Sequence, residues 1–439
     1  MDHTLKLFRS LELPLDRMFS SRFQRSEPAG RECDARPSFE GMSILIIGAS
    51  VAGTRAALSL RHRGFDGGIT LLEAENRWPY DKPSLSKEAL AVDGTGEAPA
   101  LLTPEMAEEF RLDIQLGSRA AALDPQARIV TTEDGRTFSY GSLIIAAGAA
   151  ARQLPVPHGM AGVHTLRTQA DADALRAVMA TKPRVVVIGA GFIGAEFAAA
   201  ARQQGLDTTI VEAMDVPMSH LFGPEVGAEV ASIHEAHGTR LVTGARFQGF
   251  VGADHVEGIK LEDGTVLPAE LVLVGIGVTP NTGWLADSGL PIENGINVNE
   301  DFGVVGFPGI YAIGDLAMRH HPLLGIMARI EHWTNAGEQA DALATILTGG
   351  EPSAAQLPYV WSDQYGHRFQ IIGRPNMGTL THRVGSVAEG RFLALFAHED
   401  GSPVGAVSFN DVKAITRYRK NHKRGGSVTD LIDQLTPAS

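Results

Sequence analysis

The sequence has 439 residues, of which 44% are hydrophobic and 20% are charged, a composition typical of a globular enzyme with two to four domains. Its formal net charge of −13 argues against binding to nucleic acid or to an anionic membrane surface. The one cysteine, Cys33, excludes an internal disulfide, a Cys-x-x-Cys redox pair and a cysteine-rich metal site. No apolar run approaches the roughly 20 residues of a membrane span, so we expect no membrane association and a cytoplasmic location.

Residues 1–41 show no helical or strand periodicity, and we predict that they form a flexible N-terminal extension. They contain arginines and serines, as transit peptides do, but also several acidic residues, which transit peptides lack. Met42 stands immediately before the first predicted strand. An alternative hypothesis is therefore that translation naturally starts at Met42.

The first predicted dinucleotide-binding unit runs from Ser43 to Arg61 as an apolar strand, a glycine turn and an alanine-rich helix. The free N–H groups and the positive end of the dipole at such a helix can hold a pyrophosphate. The three turn positions are occupied by Gly48, Ser50 and Gly53. Ser50 departs from the glycine that usually lets the backbone approach the phosphate. Glu73 ends the next strand and is the predicted ribose ligand, with Glu75 as the alternative.

Between the two units the sequence predicts a polar loop and several strands. The loop covers 76–90. Short strands of an additional sheet are predicted at 112–117, 126–130 and 136–140, and a buried strand begins at Ser142.

The second predicted dinucleotide-binding unit runs from Arg184 to Gly205 and has glycine at all three turn positions, which are Gly189, Gly191 and Gly194. Glu212 ends the next strand, where a carboxylate accepts hydrogen bonds from ribose hydroxyls and repels a 2′-phosphate. Asp215 adds to that repulsion, and no Arg or Lys lies between Ile210 and His220. We therefore predict NADH rather than NADPH. Two dinucleotide sites in one chain suggest that electrons pass between their ligands.

Six stretches of the chain resemble the FAD-dependent NADH:ferredoxin reductases that serve oxygenases, the family of putidaredoxin and rubredoxin reductases. They are "GASVAG", "PYDKPSLSK", "VVVIGAGFIGAEFA", "LVLVGIGVTPN", "IYAIGDLA" and "WSDQYGHRFQIIG". The resemblance runs from about Ser43 into the C-terminal domain, and apoptosis-inducing factor is a more distant relative. It implies an α/β fold with two Rossmann-like domains and a C-terminal α+β reductase domain. The implied boundaries are 42–158 and 281–351 for the FAD domain, 159–280 for the inserted NAD domain, and 352–439 for the reductase domain.

The resemblance implies a set of cofactor-binding residues and no metal site. For FAD they are Gly48, Ser50, Val51, Ala52, Gly53, Glu73, Lys82, Lys87, Ala120, Arg167, Asp315 and Trp333. For NAD(H) they are Gly189, Gly191, Ile193, Gly194, Glu212, Gly275, Ile276, Gly277 and Glu331. Asp315 is expected to bind the ribityl chain and Trp333 to lie beside the flavin ring. Without the motif, a turn-capping aspartate and a core tryptophan are the alternative interpretations.

The resemblance also implies that Lys87 and Glu196 are catalytic, as an ion pair next to flavin N5. A lysine there stabilises negative charge on the reduced ring, and the glutamate compensates its burial. The alternative is a surface lysine that follows a proline loop. Ser84 occupies the position of the redox cysteine in the disulfide reductases of the superfamily, so thiol chemistry at the flavin is excluded. We therefore expect single electrons to leave by another route.

The predicted exit route is a basic C-terminal helix on an otherwise acidic chain, since such a helix would steer an acidic ferredoxin or rubredoxin. The predicted partner-binding residues are Trp361, Lys413, Arg417, Arg419 and Lys420. The alternative is a solvated basic helix without a partner. Other hypotheses for the whole protein are an NADH oxidase, a reductase of another acceptor, and an NADH-sensing flavoprotein of the apoptosis-inducing-factor type. We expect a monomer or a homodimer.

Overall fold

A computed structural model describes residues 41–91 and 94–435. Except for Gly41, the predicted N-terminal extension lies outside the described residues. Within the described ranges, every helix is too short or too polar to cross a membrane.

The first third of the described chain alternates strands and helices and then forms a small sheet. Its elements are β1 (Ser43–Ile47), α1 (Val51–His62), β2 (Gly68–Leu72), α2 (Pro104–Glu109), β3 (Asp113–Gln115), β4 (Ala120–Asp124), β5 (Ile129–Thr132), β6 (Thr137–Ser139), β7 (Ser142–Ile145) and β8 (Ala149–Ala151). The polar loop between β2 and α2 contains a 3₁₀ turn over Lys82–Ser86.

The middle third repeats the pattern. Its elements are β9 (Val163–His164), α3 (Gln169–Met179), β10 (Val185–Ile188), α4 (Phe192–Gln203), β11 (Thr208–Val211), α5 (Ser219–Ala236), β12 (Arg240–Val242), β13 (Phe247–Val251), β14 (Gly258–Leu261), β15 (Val266–Pro268), β16 (Leu271–Val274) and β17 (Val278–Pro280). All four residues of β10 are buried, as expected for a strand covered by helices or loops on both faces.

The last third returns to the first domain and then builds an antiparallel sheet. Its elements are β18 (Ile292–Glu293), β19 (Gly295–Asn297), β20 (Ile310–Ala312), β21 (Ala317–His321), β22 (Ile326–Ala328), α6 (Trp333–Leu347), β23 (Tyr359–Gln364), β24 (His367–Gly373), β25 (Thr379–Ser386), β26 (Arg391–Ala397), β27 (Pro403–Phe409), α7 (Val412–Lys423) and α8 (Val428–Leu435). A 3₁₀ turn over Pro375–Met377 follows β24.

Two parallel five-stranded sheets carry the two glycine turns. The first has the order β20–β7–β1–β2–β3, and the second has the order β12–β11–β10–β16–β9. Because β20 joins the first sheet after the second sheet is complete, the second domain is inserted in the first. The predicted α/β fold is therefore confirmed, while the domain boundaries stay predictions.

The assignment of 112–117 to an additional sheet is wrong. This stretch forms β3, which pairs in parallel with β2 at the edge of the first main sheet. The additional sheet consists of β4, β5 and β6. A three-residue strand lacks a periodic signal of its own, so its partner was not predictable from local sequence.

The C-terminal sheet has the order β23–β24–β27–β26–β25 and is antiparallel throughout. One face packs against α7 and α8 in a core that includes Ile372, Leu395 and Tyr418. The other face packs against α4 and α5 of the second domain in a core that includes Phe222 and Phe369. The sheet thus lies against the helix that follows the second glycine turn.

A buried tyrosine strengthens this contact between the second domain and the C-terminal sheet. The hydroxyl of Tyr365, in the turn between β23 and β24, lies 2.8 Å from His234 Nδ1 on α5 and 2.8 Å from Thr239 Oγ1. The His237 ring stacks on Tyr365 with 4.3 Å between centroids. Burial, with a smaller contribution from His237, lowers the pKa of His234 to about 4, so its imidazole is neutral at pH 7.

Candidate active site between the two glycine turns

Both glycine turns open into one cavity of about 1330 Å³. The C-terminal strands β23 and β24 close part of its wall. This volume exceeds the roughly 300–1,000 Å³ of ordinary small-molecule sites. The cavity therefore has room for parts of two extended ligands that meet.

Most of the predicted cofactor residues line this cavity. From the first set they are Gly48, Ser50, Val51, Ala52, Glu73, Lys82, Lys87, Ala120, Arg167, Asp315 and Trp333, and from the second set they are Gly191, Ile193, Gly275, Gly277 and Glu331. Glu196 and Trp361 line it as well. Outside the lining are Gly53, Gly189, Gly194, Glu212 and Ile276.

The first glycine of each turn is required by the backbone. Gly48 has a φ of 95° and Gly189 a φ of 101°, in the region that favours glycine. A Cβ on Gly48 would lie 2.5 Å from the carbonyl oxygen of Ala146. A Cβ on Gly189 would overlap the carbonyl oxygen of Gly275 in the same way. Each turn therefore packs closely against the end of the neighbouring strand of its sheet.

The third glycine of each turn allows the helix to approach the turn. A Cβ on Gly53 would overlap the carbonyl oxygen of Gly48, and a Cβ on Gly194 would overlap that of Gly189. A Cβ at either position could be accommodated only if backbone atoms moved.

The middle position is different, which explains how Ser50 is tolerated. Ser50 is the N-cap of α1 with φ −73° and ψ −163°, and Gly191 is the N-cap of α4 with φ −72° and ψ −178°. Any residue adopts this extended conformation. The nearest atom to a Cβ on Gly191 would be 3.9 Å away. A serine at this position therefore causes no backbone strain, and Ser50 lines the cavity.

The acidic residues at the ends of β2 and β11 hold the glycine turns in place. Glu73 accepts hydrogen bonds from Ala49 N at 2.9 Å and from Glu75 N at 3.0 Å. Glu212 accepts the equivalent bonds from Ala190 N at 2.8 Å and from Met214 N at 2.9 Å. Each carboxylate oxygen retains a lone pair for a ribose hydroxyl. Sequence reasoning found both carboxylates but missed this anchoring contact.

Glu75, the alternative ribose ligand, belongs to a separate cluster. Its Oε1 accepts a hydrogen bond from Lys82 Nζ at 2.9 Å, and its Oε2 lies 2.7 Å from Tyr80 Oη, which donates. Burial, together with the hydrogen bond and the charge of Glu75, raises the pKa of Tyr80. The Lys82 charge is therefore partly compensated within the protein.

Lys87 and Glu196 form a direct ion pair in the cavity wall, with Nζ 2.9 Å from Oε2. Glu196 is 4% exposed and accepts three further hydrogen bonds. The donors are Ser86 Oγ, Ser362 Oγ at 2.8 Å and Asp363 N at 3.1 Å. These four donors come from two other parts of the chain, the loop after β2 and strand β23. They compensate the cost of burying a carboxylate.

Ser84 is buried and its hydroxyl donates to the carbonyl oxygen of Asp81 at 2.6 Å. This bond closes the first turn of the Lys82–Ser86 3₁₀ segment. The Ser84 hydroxyl thus stabilises the turn that ends at Lys87.

Arg167 and Asp315 also line the cavity and bind each other, with Nη2 3.1 Å from Oδ2. Arg167 Nε also donates to the carbonyl oxygen of Ala149 at 2.8 Å. The Asp315 carbonyl oxygen accepts from Arg329 Nη1 at 2.9 Å, and Arg329 is also paired with Glu331. The two predicted FAD residues are therefore held in one network.

Three aromatic side chains extend from the cavity to α7, and we call Trp333, Trp361 and Tyr359 the aromatic column. Trp333 and Trp361 meet edge to face with 6.1 Å between centroids, and Trp361 stacks on Tyr359 at 6.1 Å. The Arg419 guanidinium lies 4.2 Å from the Tyr359 ring centroid, a cation–π contact. Trp333 Nε1 donates to Asp81 Oδ1 at 2.7 Å. Burial raises the pKa of Asp81, and the Trp333 hydrogen bond opposes that shift.

The predicted partner residues divide into two groups. Lys413, Arg417 and Lys420 are exposed on α7, whereas Arg419 is half-buried against the aromatic column. Tyr359 was missed by sequence reasoning, although the alternation in "YVW" places Tyr359 and Trp361 on one face of β23.

The fold and the cavity define an oxidoreductase with two dinucleotide sites. Residues 42–340 match the family described as pyridine nucleotide-disulphide oxidoreductase, and 359–435 match the family described as reductase C-terminal. The chain belongs to the pyridine nucleotide-disulphide oxidoreductase family, in the group that carries this C-terminal domain. Membership implies FAD and NAD(H) as cofactors, and the two glycine turns at helix N-termini fit them.

Similar proteins include rhodocoxin reductase from Rhodococcus erythropolis, 41% identical over 80% of this chain and 82% of that protein. Putidaredoxin reductase from Pseudomonas putida is 35% identical over 75% of this chain and 80% of that protein. Among solved structures, a ferredoxin reductase from Rhodopseudomonas palustris superposes with a TM-score of 0.84 and 35% identity, covering 88% of this chain and 95% of that one. A covalent putidaredoxin reductase–putidaredoxin complex superposes with a TM-score of 0.82 and 31% identity, covering 87% and 93%.

Proposed function

We propose that this protein takes hydride from NADH onto FAD and passes single electrons to a ferredoxin- or rubredoxin-type iron–sulfur protein of an oxygenase system. The observation that carries the proposal is the single cavity into which both glycine turns open, with the Lys87–Glu196 pair in its wall. The names of the relatives, which include ferredoxin reductases of oxygenase systems, support the choice of acceptor.

The first turn, with the N-terminus of α1, would hold the FAD pyrophosphate, and the second turn would hold that of NADH. Arg167, Asp315 and Trp333 would hold the rest of FAD, and Gly275, Gly277 and Glu331 the nicotinamide half of NADH. FAD, when bound, accepts two electrons as hydride and can release them one at a time. Glu212 near the second turn, together with Asp215, favours NADH over NADPH.

The protein contributes orientation and electrostatics to hydride transfer. The Lys87 ammonium is fixed by Glu196 and by the carbonyl oxygen of Pro83, which accepts its hydrogen bond at 3.1 Å. A cation held in this way needs no reorganisation when negative charge develops in the cavity. No proton acceptor is required for the hydride step.

The acceptor is proposed to dock over α7 and the end of the aromatic column. Lys413, Arg417 and Lys420 present positive charge there, on a chain whose net charge is −13. Charge complementarity of this kind accelerates association and makes it sensitive to salt. The cytoplasmic location stays a prediction, as does the choice between monomer and homodimer.

The test is stopped-flow reduction of the bound flavin by NADH, followed by turnover of cytochrome c with and without a ferredoxin. Fast bleaching and ferredoxin-dependent turnover are expected. A reduced flavin that no ferredoxin reoxidises would instead support the NADH-sensing hypothesis. Rapid consumption of oxygen without ferredoxin would support an NADH oxidase.

Docking is tested by replacing Lys413, Arg417 and Lys420 together with glutamate. We expect ferredoxin reduction at low salt to fall at least tenfold, while ferricyanide reduction is unchanged because it needs no docking surface. A charge-matched control replaces Arg63, Arg240 and Lys260, which are exposed on the other two domains. Equal losses in the two triple variants would contradict docking at α7.

A further inference from the structure

One arginine in the cavity wall, Arg374, has no partner among the residues that the structure describes. Four arginines line the cavity, and three of them are paired with carboxylates: Arg119 with Glu133, Arg167 with Asp315, and Arg329 with Glu331. The Arg374 side chain has no hydrogen bond or ion pair to any residue in 41–91 or 94–435. It is half-buried, and burial lowers its pKa from the usual arginine value without making it neutral at pH 7.

The backbone around Arg374 is fixed on both sides. Gly373 has a φ of 72°, and a Cβ there would overlap the carbonyl oxygen of Val404. Arg374 N donates to that same oxygen at 2.8 Å. Pro375 then starts the 3₁₀ turn that follows β24. This constrained backbone therefore fixes the direction of the Cα–Cβ bond of Arg374.

His332, at the N-cap of α6, lines the same cavity as Arg374 and is close enough to be affected by its charge. Its Nδ1 is buried and has no hydrogen-bond partner in the described residues. Burial, and then the charge of Arg374, lowers the pKa of His332 to about 4. An unpaired cation, an unpaired imidazole nitrogen and a positive helix end thus occur together at one wall.

The negative groups around this wall are already engaged. Glu331 is paired with Arg329, Asp315 with Arg167, and Glu196 with Lys87. Asp81 accepts the Trp333 indole N–H. His321 on β21, whose pKa is lowered to about 4 by burial and then by Arg319 and Arg374, adds no negative charge. The positive charge of Arg374 is therefore uncompensated by any residue in 41–91 or 94–435.

We propose that Arg374, which shares the cavity wall with His332, stabilises the negative charge that the flavin gains when it is reduced. This inference rests on the proposed function of the cavity. Hydride transfer turns NADH into NAD⁺ and gives the flavin two electrons and one proton, so the flavin gains one negative charge. In a partly enclosed cavity an unpaired guanidinium attracts that charge more strongly than it would in water. The oxidised flavin, which is neutral, receives much less of this stabilisation.

The experiment measures the midpoint potential of the FAD-loaded protein by equilibration with a redox dye. Arg374→Gln is expected to make reduction about tenfold less favourable, which is about 30 mV for a two-electron couple. Arg374→Lys keeps the positive charge, so its equilibrium constant for flavin reduction should stay within threefold of the wild-type value. Arg391→Gln is the matched control, since Arg391 is an exposed arginine of the same domain, 3.9 Å from Asp411. It should leave the potential unchanged.

The outcomes separate this inference from the proposed function. An unchanged potential in Arg374→Gln, with FAD bound and NADH still reducing it, overturns the inference and leaves the function intact. A tenfold decrease in the equilibrium constant for flavin reduction in Arg374→Lys also overturns it, because the positive charge would then not be the cause of the stabilisation. A higher KM for ferredoxin with an unchanged potential would assign Arg374 to the protein partner instead. Failure of NADH to reduce the wild-type flavin contradicts the proposed function itself.

Discussion

The two glycine turns have almost the same backbone geometry although they differ in sequence and, on our proposal, in ligand. In both turns the first and third glycines are pressed against backbone oxygens, and a glutamate at the end of the next strand binds an N–H group of the turn. The middle positions differ, because one is Ser50 and the other Gly191. The comparison shows that two glycines and one carboxylate maintain the turn, while the middle position accepts either serine or glycine.

The surroundings of the two turns also differ. The carboxylate of the first turn, Glu73, lines the cavity, whereas Glu212 lies outside its lining. A lysine, Lys82, stands next to the first turn. The helix after the second turn carries Glu196 and packs against the C-terminal sheet. The second turn is therefore followed by a helix that contacts the C-terminal domain at the cavity, whereas the first domain reaches that sheet through Trp333 at the start of α6.

The largest expected effect comes from adding a methyl group to the first glycine of either turn. Gly189→Ala should lower kcat/KM for NADH at least 100-fold while FAD stays bound, because the methyl group meets a backbone oxygen at a positive φ. Gly48→Ala should instead abolish FAD binding, measured from the absorbance of the purified protein.

Gly191→Ala is the control for Gly189→Ala and Gly48→Ala, since its Cβ would meet no atom closer than 3.9 Å. Its effect on NADH binding should be much smaller than that of Gly189→Ala. Equal effects would show that the middle position is as restricted as the first.

The contact between the second domain and the C-terminal sheet should weaken in acid. The pKa of His234 is lowered to about 4, so between pH 6.5 and pH 4 the unfolded protein binds more protons than the folded protein. The free energy of unfolding should therefore fall as pH falls through this window. His234 should account for about 2 kcal/mol of the loss between pH 7 and pH 5.

Urea unfolding of His234→Asn, which can still bind the Tyr365 hydroxyl, should show a correspondingly smaller loss between pH 7 and pH 5. An identical pH dependence in wild type and variant would contradict the neutral state of His234.

The two anchoring glutamates should be tested as a pair. Glu212→Gln keeps a carbonyl acceptor but loses the negative charge, so KM for NADH should rise about tenfold and discrimination against NADPH should decrease. Glu73→Gln should weaken FAD binding and leave the KM for NADH unchanged. A variant at either position that affects both cofactors equally would show that the turns are coupled rather than independent.

The smallest effect is expected for Ser50→Gly. Because the backbone at this position is already extended, the substitution relieves no strain. FAD affinity should change less than threefold, measured by titration of the FAD-depleted protein. A large gain in affinity would mean that the serine side chain obstructs the ligand.

Much of the fold and part of the site followed from the sequence. The two strand–turn–helix units and their acidic strand ends were predictable because each is local to a short stretch, whereas the consequence of Ser84 followed only from the family resemblance. The Lys87–Glu196 pair was predicted only through the family resemblance, since 109 residues separate its members. Ser362, Tyr359 and Arg374 were not identified, or not in these roles, because their positions depend on how the C-terminal sheet packs against the other domains.

The sequence by itself determined the two turns, because a positive φ and a close backbone approach admit only glycine, and this constraint acts within a few residues. Only the tertiary structure decided that the two turns share one cavity and that Glu196 receives donors from the first and last domains. It also decided that Arg374 is left without a partner among the described residues. Whether a charged side chain finds a partner depends on segments that are distant in sequence. These segments come together only when the domains pack against each other.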